Sequence, residues 1–93
     1  MLRCLVLLAL LAPVTATAQA ACYADYKAKR EDPLRLHYGV AEIAGPCRRG
    51  AAARELEPRL ARAGWTLLNV VSVFDEDGLG ERRDSAGANF LRY

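Results

Sequence analysis

"GWTLLNVVSVF", residues 64–74, is the stretch on which the reading of this chain turns. Nine of its eleven residues, all but Gly64 and Asn69, suit a strand, because β-branched and aromatic side chains pack well on a pleated, half-buried surface. A strand over 65–74 follows. Strict alternation puts Trp65, Leu67, Val71 and Val73 on one face and Thr66, Leu68, Val70, Ser72 and Phe74 on the other. Both faces then need a cover, and the fold depends on what supplies it.

Upstream, "RRGAAARELEPRLARAG", residues 48–64, places Ala53, Leu56, Leu60 and Ala63 on one stripe at helical spacing, the pattern of an amphipathic helix. Gly64 is the expected residue after its last turn. Pro58 leaves two readings open, a kinked helix or two helices with Pro58 in the first turn of the second.

Further upstream, Leu34, Leu36, Tyr38 and Val40 alternate with Arg35, His37, Gly39 and Ala41, predicting a strand over 34–43. Residues 22–33 are polar, and the three-residue spacing of Tyr23 and Tyr26 suits one side of a helical turn, which Asp32-Pro33 ends. Downstream, 75–87 is polar with a turn signal at Asp77-Gly78, and "ANFLRY", residues 88–93, reads as a third strand. The expected class is α+β in the order β-α-β-β, one helix on a three-stranded, mainly antiparallel sheet.

The run "LARAGWTLLNVVSV" resembles the small bacterial domains of unknown function in which a helix runs into Gly-Trp-Glu-Leu and a strand. Thr66 stands where that signature has glutamate, and the likeness covers Leu60 to Phe74. It implies the same β-α-β-β layout. The paired cysteines and the long 75–87 connection are not part of that pattern. The chain as a whole resembles short exported bacterial proteins of unknown function, and neither resemblance carries an activity.

On this layout the helix covers Trp65, Leu67, Val71 and Val73 with Leu34, Leu36, Tyr38, Leu91 and Tyr93. The opposite face carries Leu68, Val70 and Phe74 beside Arg35, His37, Phe90 and Arg92, an apolar centre with a basic rim and the candidate interaction face. Either the N-terminal segment folds back over it with Tyr23 and Tyr26, or a second copy or partner protein covers it.

Residues 1–20 read as a signal peptide: Arg3, an apolar run ended by Pro13, and Ala18-Gln19-Ala20 as a cleavage signature. The run is too short to span a bilayer, so no membrane anchor is expected after cleavage. Residues 21–93 then form one small domain. Without Arg3, the 13 basic residues become 12 against 11 acidic, a near-neutral balance that gives no footprint for nucleic acid. Eleven arginines against two lysines, with 17 alanines, suggest a GC-rich bacterium and hence a periplasmic or secreted location. Cys22 and Cys47 would remain, and a structural disulfide between them would stabilise by about 3 to 4 kcal/mol. As a lipid acceptor, Cys22 lacks the aliphatic residue wanted where Gln19 stands.

No catalytic constellation, metal-ligand cluster or cofactor motif is recognisable. His37 is the single histidine, read as a surface or interface residue. Asp75 and Asp77 resemble the start of a calcium loop, but Ala86 falls where the bidentate glutamate belongs. Arg82 and Arg83 read as solubilising charges. The expected function is a binding or structural module acting through protein-protein contact, as monomer or homodimer, with an envelope protein as partner. The alternatives are a small hydrolase or nuclease using His37, or a small-ligand carrier.

Overall fold

A computed structural model describes residues 20–93; the signal-peptide reading of the first residues lies almost entirely outside them. The order is β1 (Cys22–Arg30), β2 (Arg35–Ile43), α1 (Arg49–Arg62) and β3 (Thr66–Phe74). Short helical turns follow over Glu76–Gly78 and Gly80–Arg82, then α2 (Arg83–Ala86) and a last turn at Gly87–Asn89. The sheet is antiparallel throughout, in the order β2-β1-β3. The α+β class, the three-stranded antiparallel sheet under a helix, and the Cys22–Cys47 disulfide agree with the expectation.

The expected β-α-β-β order is corrected to β-β-α-β. Residues 22–30 are not a helical turn but the middle strand, because Cys22, Ala24, Tyr26 and Ala28 alternate on one face and are buried under α1. Asp32-Pro33 does break the segment, at a turn between two strands. The last residues, in turn, are not a strand: Phe90 makes only an isolated parallel bridge to Val40.

This topology explains the placement of the helix. β2 and β3 occupy opposite edges, so α1, which joins them, must cross over β1. Ala52, Leu56 and Leu60 press onto Tyr26 and onto Ala24, Ala28 and Ala41, small residues that let the helix lie close. The helix is continuous through Pro58, which settles the question left open by the sequence. It stops as expected at Gly64, which has φ of 86°. The amide of Gly64 donates to the Ala61 carbonyl and that of Trp65 to the Leu60 carbonyl, the bond pair of a Schellman ending. That ending delivers Trp65 into the core beside Leu60.

β3 does not alternate strictly. Two register shifts against β1 leave Val71 and Leu68 without partners, so Leu67, Val70 and Val73 share the helix side. The assigned faces are corrected accordingly: Val70 is in the core, and Val71 and Leu68 are exposed. β2 is also reversed. Its pairing of Ala28 with His37 turns Arg35 and His37 toward the helix side and Leu36 and Tyr38 away from it.

The second face is not covered by a folded-back N-terminal segment, because residues 22–30 form the middle strand of the sheet itself. Residues 75–91 lie over its Tyr23 end, where Tyr23, Val40 and Ala86 are buried with Tyr38, Phe74, Leu79 and Phe90. Asp25 sits among them, 4% exposed. It accepts from Tyr38 Oη at 2.8 Å, Ser72 Oγ at 2.6 Å and Arg82 Nε at 3.1 Å. Burial raises the Asp25 carboxyl, but the bonds from Ser72, Tyr38 and Arg82 outweigh it and hold it below the usual carboxylate range. Arg82 is therefore a cross-link and not a solubilising charge. Asp75 caps the first turn by accepting from the Asp77 amide. At the far end of this face Leu36 and Leu68 stay exposed.

Candidate binding cleft

Three arginines converge where the β1–β2 hairpin meets the end of α1 and the C-terminal segment. Arg30 ends β1 and Arg35 starts β2, and their Cα atoms are direct cross-strand partners. Arg92 comes from the segment after the Phe90 bridge. With His37, Trp65 and Tyr93 they line a cleft of about 420 Å³.

Like charges directly opposite each other on a sheet are destabilising. Here the repulsion is not relieved within the chain: among the described residues no ion pair involves Arg30, Arg35 or Arg92. The Arg30 guanidinium lies 4.4 Å from the centre of the Trp65 ring, which orients it without occupying its N–H donors. Arg92 lies over Tyr93 at 5.4 Å. The cleft thus presents hydrogen-bond donors and positive charge with no carboxylate paired to them among the described residues, the chemistry that takes an anion.

His37 forms the floor. Its ring meets Trp65 edge-on at 4.2 Å and stacks on Tyr93 at 5.7 Å. Nε2 is hydrogen-bonded to Tyr26 Oη at 3.0 Å, and Nδ1 is buried without a partner. Burial, then the nearby Arg30 and Arg92, lower its pKa and favour the neutral imidazole. Burial correspondingly pushes the Tyr26 hydroxyl well above its ordinary value. His37 is therefore a packed structural residue beneath the cationic rim, not an outward surface histidine.

Arg59 anchors the C-terminal wall. Nε and Nη2 donate to the Tyr93 carbonyl oxygen at 3.0 and 2.6 Å, and Nη1 donates to the Glu42 carbonyl at 2.9 Å. Nη1 also pairs with Glu55 at 3.0 Å. The same Glu55 carboxylate accepts from the amides of Ala44 and Gly45, each at 2.8 Å. Its burial favours the neutral form, but the Ala44, Gly45 and Arg59 contacts prevail and lower its pKa.

The structure separates the seven residues of the expected interaction face. Arg35, His37 and Arg92 come together in the cleft. Val70 lies under the helix, Phe74 and Phe90 pack in the second cluster, and Leu68 borders a separate groove of about 290 Å³ with Lys27, Leu36 and Tyr38. The sequence pattern does not single out Arg30, because the spacing of Tyr23 and Tyr26 suits a helical turn over its segment. Reading "KREDPLR" as a hairpin would have set the two arginines across from each other.

Among the described residues no group of three or more histidine, cysteine, aspartate or glutamate side chains could hold a metal ion. No described helix is long and apolar enough to cross a membrane. No family model, curated protein or solved structure matches the chain.

Proposed function

We propose that the protein is an exported, periplasmic binding module that engages an anionic site on an envelope protein through the Arg30/Arg35/Arg92 cleft. The observation that carries this reading is the direct opposition of Arg30 and Arg35 with no carboxylate partner for either. An incoming anion would offset a repulsion the fold otherwise bears, so part of the binding energy is stored in the unbound domain. The disulfide suits an oxidising compartment and supports the export reading. Binding is favoured over hydrolysis by His37, whose Nε2 is engaged by Tyr26 and whose Nδ1 is buried, leaving no ring nitrogen to act as a base on a ligand.

Trp65 is the single tryptophan of the chain and lines the cleft, so its fluorescence reports occupancy directly. Titration of residues 21–93 with polyglutamate should change that signal saturably and in a salt-sensitive way. The paired variant Arg35→Glu/Arg92→Glu should abolish the response while melting normally. An unchanged signal with polyglutamate, or equal binding by the charge-reversed protein, would overturn the reading.

A further inference from the structure

The outer edge of β2 suggests how a partner is seated in the cleft. Alternate residues of this strand turn their backbone groups away from β1. The direction is fixed by two bonds: the Val40 carbonyl accepts from the Leu91 amide at 2.8 Å, and the Glu42 carbonyl accepts from Arg59 Nη1 at 2.9 Å. By the same parity, Leu36 and Tyr38 also face outward, and among the described residues neither has a backbone partner on that side. The parallel bridge begun by Phe90 at Val40 is not continued toward them as a strand, because Gly87–Asn89 is a helical turn that packs against β2 without pairing with its backbone. The unpaired edge is flanked by Arg35 and borders the cleft, whose lining includes both Leu36 and Arg92.

We infer that the cleft and this edge form one site, which takes an extended acidic peptide segment of a partner protein as an added strand on β2. The segment's backbone would satisfy the amide and carbonyl groups of Leu36 and Tyr38, and carboxylates at alternate positions would meet the guanidiniums. The inference rests on the binding reading above and goes further, because it requires a backbone contact that a free anion cannot make. Charge complementarity selects the occupant: a neutral or basic strand would leave Arg30 and Arg35 opposed.

The test uses residues 21–93 and a blocked hexapeptide alternating glutamate and valine. Its comparators are the same peptide N-methylated along the edge-pairing side, a lysine-valine peptide, and citrate. The expected result is saturable change in Trp65 fluorescence with the glutamate-valine peptide, with exchange of the Leu36 and Tyr38 amides slowed by about tenfold or more. N-methylation and Arg35→Glu should each weaken binding by about tenfold or more, and the lysine-valine peptide should not bind. If the methylated peptide or citrate binds equally well, or the two amides gain no protection, strand addition is refuted while the anionic cleft stands. If neither the glutamate-valine peptide nor polyglutamate binds, both readings fall.

Discussion

Arg82 and Asp25, 57 residues apart in sequence, form an ion pair at 3.1 Å that bolts the segment after β3 onto the middle strand. Asp25 is almost wholly buried, so losing Arg82 would leave its charge held only by two hydroxyls. Arg82→Leu should destabilise by about 3 kcal/mol, with part of the loss recovered when Asp25→Val is added, because the orphaned charge is then gone. A double-mutant cycle in urea measures both.

Acidification should weaken the fold in two stages. His37 has a lowered folded pKa, so the unfolded chain binds the proton first, and stability falls as pH drops below the ordinary histidine value of about 6.5. Asp25 and Glu55 also have lowered folded values, but as carboxylates they contribute fully above about 4 and lose that contribution as pH falls through the folded pKa. Melting temperature against pH should show both legs, and His37→Gln should remove the upper one.

Val70 and Val71 should respond oppositely to charge. Val70→Asp places an unpaired carboxylate beneath α1 and should prevent folding or destabilise by about 3 kcal/mol or more, whereas Val71→Asp at the bulge should melt within about 0.5 kcal/mol of the parent. Equal sensitivity at both sites would contradict the two register shifts.

Gly39 lies directly opposite Tyr26, and a Cβ built there would stand 2.6 Å from the tyrosine Cζ. Tyr26 is fully buried and bonded to His37, so it cannot yield without disturbing the cleft floor. Gly39→Ala should cost about 1 to 3 kcal/mol and shift the His37 ring resonances. Chemical denaturation and NMR read the two effects.

The Cys22–Cys47 bond closes a separation of 25 residues, and reducing it should lower stability by about 3 kcal/mol. Alkylation of the folded, oxidised protein without reductant should label neither cysteine, and denaturant titration with and without reductant should give the energy.

What the sequence made legible follows from which residues carry one-sided patterns. α1 and its stop at Gly64 have one wet face and a glycine ending, and β2 alternates, so these elements were readable. β1 was not, although Asp25, Lys27 and Lys29 alternate with Ala24, Tyr26 and Ala28: the three-residue spacing of Tyr23 and Tyr26 also suits a helical turn, and the burial of Tyr23 and Asp25 on the second face comes only from the segment after β3. The faces of β3 were misassigned because two bulges change parity within nine residues, a displacement visible only through pairing with β1. In the cleft, Arg35, His37 and Arg92 could be grouped from sequence, whereas Arg30 required knowledge of the hairpin.

The position of β1 also bears on the order in which such a chain can complete its fold when it becomes available N-terminus first. The β1–β2 hairpin and its disulfide are local and can form as soon as Cys47 emerges. Everything that gives β1 its second neighbour and its two covers, β3, α1 and the segment carrying Arg82, arrives afterwards and joins over long sequence separations. The domain therefore cannot close while most of its chain is absent, and its completion is slow and non-local.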